Sequence, residues 1–475
     1  MNIEAKSIDY IEDRERHGRA IEQAPFWFLG NFHFFTIAIG FVGPSMGLTF
    51  GYTSLAGALG ILFGSLFVAL HAAQGAELGL PQMIQSRAQF GFRGVVVVLV
   101  GTLFTFVGFN VADSVLMAHG LRTILGWNAR AVTIAASAAG ALLALYGHDW
   151  LHRIFRWCFF LCLPLYTLLT VAMALGKIHA SHPLIGGFGW AAFLGQFAAS
   201  ASYNITYAPS VSDYSRYLPR STRPAATIAA VYAGASSSAI WLIALGAWLA
   251  TRLGAADGLV ALYAAGNAIW PHFGVWLALA SVITLTATMG LNAYSGMLTL
   301  ITAGSSLFEI RPTPRARVAA ILALTIVTVA LALVVSANAI ALVFAVLTIM
   351  LYLLVPWTAI NLIDYFFVRR GRYAITHFFL PHGIYGAWNG RGLAAYSIGF
   401  AATLPFFVLP DLYTGPAARA LGGIDLGWLV GLIVSGGLYL WLSRGFDPAA
   451  ESSAIAASES SLAQAQTAAA APAAI

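Results

Sequence analysis

From residue 26 onward the chain alternates long apolar runs with short polar or charged connections. The runs have the length, about 20 residues, at which an α-helix crosses the hydrocarbon core of a bilayer. Twelve crossings are predicted, at 26–50, 53–74, 94–119, 130–147, 155–176, 190–213, 226–250, 271–305, 318–336, 338–367, 393–411 and 426–443. The eighth and tenth are longer than a perpendicular crossing needs, which predicts tilt or protrusion. A transmembrane β-barrel would instead show alternating strands of ~10 residues. Composition agrees: 59% of residues are hydrophobic and 9% charged, against about 25% charged in water-soluble domains. The predicted class is an all-α polytopic membrane protein.

Charge then orients it. An even number of crossings puts both termini on one side, and 19 of the 24 Lys and Arg residues fall on that side. The other side holds Arg122, Arg130, Lys177, Arg252 and Arg419. Under the positive-inside rule both termini are cytoplasmic, in a multi-pass protein of the plasma (inner) membrane. Residues 1–25 are charged throughout, unlike a cleavable signal peptide, and are predicted to be a cytoplasmic tail. The Ala/Ser/Gln-rich stretch 448–475 is predicted to be disordered. Cys158 and Cys162, four apart on one helical face, are expected to be core thiols.

Two crossings carry interruptions. The first, "FWFLGNFHFFTIAIGFVGPSMGLTF", has Gly40, Gly43, Pro44 and Gly47 at mid-membrane depth, and the sixth breaks at "YAPSVS" around Pro209. Non-helical backbone survives at that depth only where it is buried in protein or lines a watery cavity. Paired breaks are a feature of secondary transporters built from inverted repeats. Here they predict five-helix units at 26–176 and 190–367, followed by two further helices at 393–443. Two unrelated proline kinks are the plainer alternative. On the eighth crossing Ser281, Thr284, Thr288, Asn292, Ser295 and Thr299 recur at spacings of 3, 4, 4, 3 and 4, forming one helical face. They serve either as interhelical glue or as the lining of a pathway. Thr102, Phe106, Asn110, Asp113 and Met117 share a face of the third crossing. Asp113 must there face the bundle interior or an aqueous edge. Phe106 and Asn110 pair a ring with an amide, which suits a small planar ligand; a buried Asn bonded to a neighbouring helix is the alternative for Asn110.

Several stretches together resemble the nucleobase:cation symporter family, whose members carry purines, cytosine, uracil, allantoin, hydantoins and some vitamins. They are "GAELGLPQMIQSRAQFGFRG" (75–94), "SDYSRYLP" (212–219), "NLIDYFFVRRGRY" (361–373) and "IYGAWNGRGLAAYSIGF" (384–400). The resemblance implies a 5+5 inverted-repeat fold of the leucine-transporter type. It also implies a substrate ring stacked between an aromatic of helix three and one of helix six. The family's Trp-x-Gly-x-(Asn/Gln) on helix three is matched by Phe106-Val-Gly-Phe-Asn110, and the helix-six aromatic is Tyr203 or Tyr207. Asn31, Asn204 and Asn292 complete the expected substrate set. Sodium-dependent members carry two adjacent hydroxyls on helix eight, but here Thr288 is followed by Met289, a poor ligand for a hard cation. Thr284 and Thr288 share a face a full turn apart. Proton coupling is therefore preferred over sodium, with Asp113 first as its carrier and His33 and Glu77 behind it. Glu77, Asp213 and Arg216 are candidate gating residues, with solvated anchoring the plainer role for the last two. The expected cargo is a neutral nucleobase, cytosine or a purine, with allantoin, another ureide or a hydantoin as alternatives. No cofactor, structural metal or nucleic-acid partner is expected. A membrane enzyme and a passive channel are the rival classes; the chain has no His-Glu-x-x-His motif and no convincing nucleophile elbow.

Overall fold

The computed structural model describes residues 4, 6–182, 186–308, 310, 312–335, 340–409 and 412–470. Arg311, the predicted boundaries at 336, 338 and 411, and the tail residues 1–3, 5 and 471–475 lie outside that set. The chain folds as α1 Gln23–Gly30, α2 Phe34–Ile39, α3 Val42–Ser45, α4 Phe50–Leu78, α5 Gln82–Gln85, α6 Arg87–Phe90, α7 Val96–Leu125, α8 Ala129–Tyr146, α9 His148–Ala174 and α10 Trp190–Ile205. It continues as α11 Ala208–Ser215, α12 Pro224–Leu253, α13 Gly258–Asn267, α14 Phe273–Phe308, α15 Pro314–Val334, α16 Ile340–Ile363, α17 Gly390–Thr403, α18 Pro416–Ala420, α19 Gly427–Leu442 and α20 Ser452–Ala470. Among the described residues eight helices are long and apolar enough to cross a membrane, and a pair bent by 63°, Ala20–Gly30 with Phe34–Ser45, adds a ninth. The crossings predicted at 190–213, 393–411 and 426–443 are helical too, but in shorter pieces: α10 with α11, α17, and α19.

Close backbone contact fixes how the first crossing sits. A Cβ on Gly40 would lie 2.3 Å from the Ile243 carbonyl, and one on Gly246 would lie 2.0 Å from that of Ile37. The two glycines thus bring α2 and α12 into main-chain contact, the small-residue packing that membrane helices favour. The expected interruption is present, since α2 ends at Ile39, α3 spans only Val42–Ser45 and Gly47 is left-handed. A sharper break, not expected, lies about ten residues earlier at Asn31–His33.

The 79–95 connection after α4, most of it within the quoted stretch 75–94, is buried almost throughout and coiled into α5 and α6. Arg87 is fully buried; its guanidinium donates to the carbonyl of Phe378 (2.8 Å) and to Ser305 and Ser306. After α16 the helix widens into a π-turn, Asp364–Val368, and turns the Asp364 carboxylate inward. That carboxylate accepts from Gln89 Nε2 (2.6 Å), Arg369 Nη1 (2.6 Å), Tyr373 OH (2.9 Å) and Tyr439 OH (2.8 Å). Arg369 also grips Glu451 through Nε and Nη2, both at 3.1 Å. One ion pair thus gathers the 79–95 connection, α16, α19 and the start of the C-terminal segment.

That segment is not disordered as expected. Its alanines are strong helix formers, and it forms α20. Ser458 is buried and accepts from the Thr376 amide, Leu462 packs on the core, and Glu459 pairs with Arg220. The N-terminal tail is likewise built in, as a strap with Ile8 and Ile11 buried. The strap bonds Gly79 and Tyr217, neighbours of the residues that α20 meets, so both termini lie on one face of the molecule.

Replacing Arg369 with Leu leaves the buried Asp364 charge without its cation. The expected cost is about 3–5 kcal/mol, read as a lower melting temperature of the detergent-solubilised protein; a variant melting with the parent would show that the pair does not hold these elements.

Candidate functional site

At the first break His33 is extended (φ −152°, ψ 170°), so α1 and α2 are separate helices with exposed ends. In hydrocarbon those main-chain groups need partners, and side chains supply them. The Gly30 carbonyl accepts from Tyr207 OH (2.7 Å) and faces His33 Nε2 (3.1 Å). The Asn31 carbonyl accepts from Thr36 Oγ1 (2.6 Å). The Phe34 amide donates to Ser281 Oγ (2.8 Å), which also takes the Tyr166 hydroxyl (2.8 Å). The second break lies between α10 and α11, with Pro209 in the first turn of α11, where its missing N–H costs nothing. Thr206 Oγ1 and Ser210 Oγ cover the Tyr203 and Tyr207 carbonyls (2.6 and 2.8 Å).

The two breaks meet. Asn31 Nδ2 donates to Asn204 Oδ1 (3.0 Å) and to the Ala235 carbonyl (2.9 Å), while Asn204 Nδ2 donates to Ser65 Oγ (2.6 Å). Both amides, expected to read a substrate, tie α1, α4, α10 and α12 together, while Asn31 Oδ1 has no hydrogen-bond partner among the described residues. Around this joint four rings gather. Phe35 stacks on Tyr203 (centroids 5.9 Å apart, 17° between planes), and Phe109 lies nearly parallel to Tyr207 (6.4 Å, 12°). Asn292 Nδ2 donates to Asn110 Oδ1 (3.1 Å), and Asn110 Nδ2 to the Met289 carbonyl (3.2 Å). Asp113 is buried within electrostatic reach of Tyr203 and Tyr207, and its Oδ2 has no hydrogen-bond partner among the described residues. The same holds for Nδ1 of the buried His33.

Other candidates are placed differently. Phe106 packs beside Gly296 of α14, next to Leu324. The ring of α7 that faces Tyr203 and Tyr207 is Phe109, three residues on. It stands inside the quoted motif, in the position between the family's Gly and its Asn/Gln. Thr284 and Thr288 donate back to carbonyls of their own helix, a common habit of membrane hydroxyls. Ser281, one turn before Thr284, is the hydroxyl of α14 that meets the first break. Asp213 and Arg216 are not solvated anchors, since both are buried. Asp213 Oδ1 accepts from the Gln82 amide of the 79–95 connection (3.0 Å). Glu77 Oε2 accepts from Tyr365 OH (2.7 Å), tying α4 to the π-turn.

The face carrying the termini is closed. Arg216 donates to the Ser7 carbonyl (2.7 Å) and Tyr294 OH (3.0 Å). Arg317 reaches Glu4 Oε2 (3.0 Å) and the carbonyls of Lys6 and Ala144. Glu4 takes further donors from Tyr217, Tyr294 and the His148 amide. Burial pushes the Glu4 carboxyl up, but Arg317 and Arg216 outweigh it and hold it below its ordinary value. Its contribution to the closed face is thus present at neutral pH and lost only as pH falls through that lowered value. Sequence reading missed Glu4, whose partners lie at least 144 residues away. On the opposite face a cavity of about 670 Å³ opens among α2, α3, α10, α16 and the 254–258 turn, and reaches Phe34, Phe35 and Ser202. Of the ring cluster it touches Phe35.

Comparison with known proteins bears on what travels there. Residues 10–431 match the family described as permease for cytosine/purines, uracil, thiamine, allantoin. The chain is 34% identical over 447 residues to the protein of Bacillus subtilis (strain 168) named "Putative purine-cytosine permease YxlA", covering 94% of this chain and 96% of that one. It is 25% identical over 258 residues to purine-cytosine permease FCY2 of Saccharomyces cerevisiae, covering 52% and 48% of the two chains. The fold superposes on that of Mhp1, a nucleobase-cation-symport-1 family transporter solved closed with bromovinylhydantoin bound, at a TM-score of 0.75 and 18% identity over 96% of this chain and 98% of that one. The inward-facing conformation of Mhp1 gives 0.69, again at 18% identity, over 97% and 99%.

Ser281→Ala would leave the Phe34 amide and the Tyr166 hydroxyl without their shared acceptor. A loss of about 1–3 kcal/mol is expected, measured by thermal unfolding in detergent, with Ser281→Thr keeping most of the stability.

Proposed function

The chain belongs to the family of permeases for cytosine/purines, uracil, thiamine and allantoin, and on that premise we propose that it is a secondary active symporter importing a neutral planar nucleobase, cytosine or a purine, together with a proton. Its relatives are membrane permeases rather than enzymes. In this reading α1–α9 and α10–α16 form two inverted five-helix units, each opening on a broken helix. The shorter α10/α11, α17 and α19 bring the crossings to twelve, and the face with both termini is cytoplasmic.

The observation that carries the proposal is the near-parallel pair Phe109 and Tyr207, 6.4 Å apart and 12° from coplanar, beside the Asn110–Asn292 amides. A slight widening admits a flat heterocycle between the rings, where stacking holds any aromatic base. The amides then exchange their mutual bond for bonds to its carbonyl and ring-nitrogen edge. The outer cavity serves as the entry vestibule and the Glu4 cluster as the inner seal, so the conformation is outward-facing. Import exchanges which end is sealed. Asp113 takes the proton: its carboxyl is buried beside the rings with one oxygen free, so ligand and proton report to the same place. An allantoin or hydantoin presents similar amide edges, and sodium replaces the proton if the α14 hydroxyls supply its oxygens.

Three substitutions and an uptake assay test this. Phe109→Ala should weaken binding of the transported base by roughly tenfold or more, as stacking contributes about 0.5–1.5 kcal/mol beyond the buried area; Phe106→Ala should cost less. The reverse order would move the stacking site to Phe106. Competition uptake of labelled cytosine against adenine, hypoxanthine, uracil and allantoin, with choline replacing sodium and with pH varied, identifies cargo and ion. Asp113→Asn should bind the base yet lose pH-driven accumulation, and a variant that still accumulates would dismiss Asp113 as the carrier.

A further inference from the structure

On the face that carries both termini, a recess of about 210 Å³ lies between the N-terminal strap and the first turn of α9. His17 comes from the strap, and His148 and Asp149 from α9. Each offers one ligand atom, and the three atoms lie within 4.8 Å of one another. Both imidazoles converge on the same oxygen: His148 Nδ1 is 2.9 Å and His17 Nε2 3.3 Å from Asp149 Oδ1. The outer nitrogen of each ring meets a main-chain carbonyl, His17 Nδ1 that of Glu15 (2.9 Å) and His148 Nε2 that of Tyr214 (3.2 Å). In a neutral ring that contact makes the outer nitrogen the N–H and turns the inner lone pair toward the shared point. Histidine ligands of metals are oriented in this way by their second nitrogen. His152, one turn beyond His148, lines the same recess, and its buried Nε2 has no partner among the described residues. Glu22, Arg153, Arg156 and Tyr217 complete the polar wall.

We propose that His17, His148 and Asp149 form a binding site for a divalent transition-metal ion of the zinc type. Two imidazole nitrogens and one carboxylate oxygen, with water in the fourth position, suit such an ion, whereas magnesium and calcium prefer oxygen ligands throughout. On binding, the ion displaces whatever proton the two rings share with Asp149. Because the ligands come from the strap and from α9, the bound ion staples one to the other, beside the Glu4 contact with the His148 amide (3.1 Å). Resting on the alternating-access reading above, the staple holds this face closed and slows transport.

The test uses the full chain, purified in detergent without a polyhistidine tag and titrated calorimetrically with zinc chloride. One saturable site per chain is expected, with a rise in melting temperature and no response to magnesium. His17→Ala, a change at a half-exposed side chain that the fold tolerates, should weaken zinc binding roughly tenfold or more and abolish the thermal shift, and His148→Ala should do the same. No saturable binding, or equal binding by His17→Ala, overturns the site. In proteoliposomes, zinc on the terminus-bearing face should slow uptake by the parent and leave His17→Ala unaffected. Binding without that difference overturns the staple alone, and an absence of any uptake counts against the transport reading while calorimetry still decides the site.

Discussion

The structure depends on satisfying main-chain groups that two broken helices leave open inside a bilayer-spanning bundle. Each unpaired amide or carbonyl there costs several kcal/mol in hydrocarbon. Here the partners come from other helices. Tyr207 covers Gly30, Ser281 covers Phe34, and Asn31 with Asn204 bridges the breaks directly. The bonds are local in space and remote in sequence, so each break is held open by the elements facing it. A pocket built this way is rigid where the chain is irregular, which is what a small ligand needs.

The same arrangement explains why the two ends of the molecule differ. On the terminus-bearing face, charge is abundant and is used internally. Glu4 with Arg216 and Arg317, and Asp364 with Arg369, bring long-range contacts into a compact seal. Ion pairs of this sort contribute through the cost of breaking them rather than through a large net gain. Such contacts suit a closure that must be firm yet separable. On the opposite face Asp257 pairs with His119 and Asp425 accepts from Tyr352, and there the 670 Å³ cavity is open.

Much of this was legible in the sequence. Segment lengths and charge bias reported helical crossings and a shared side for the termini, because both follow from the bilayer as solvent. The break near Pro209 was legible because proline marks it. The interruption at Gly40 was legible too, and that glycine has both of its uses in a membrane helix, loosening the helix and letting the Ile243 backbone approach. The sharper bend at Asn31–His33 was not legible, because no proline marks it and its partners, Tyr207 and Ser281, are remote in sequence. Phe109 and Phe106 lie near each other on α7, so the sequence cannot say which ring meets helix six; in the structure Phe109 faces Tyr203 and Tyr207 while Phe106 meets Gly296. The helix at 452–470 and the contacts of both terminal segments were not legible. Composition describes what a segment can do alone, while Glu4, Glu451 and Ser458 act through partners the sequence does not place beside them.

The Asn110–Asn292 pair constrains selectivity in the proposed cycle. Before a base arrives, the two amides bond each other and the Met289 carbonyl, so no buried donor is left waiting at large cost. A ligand must therefore repay the bond it displaces. One carrying a carbonyl beside a ring N–H does so in kind, trading an amide–amide bond for amide–base bonds of similar strength. A purely apolar ring of equal size separates the amides and satisfies neither, at a cost of about 1–3 kcal/mol per stranded group. A charged ligand faces a harder exchange, because the ionisable side chains named at this joint are Asp113, His33 and the phenols Tyr203 and Tyr207, and none of its named residues is a Lys or Arg that could pair an anion. Aromatic faces alone would accept any flat molecule. In the proposed cycle the self-bonded amides would restrict entry to flat, neutral molecules with amide-like edges, which is the selectivity the proposal requires.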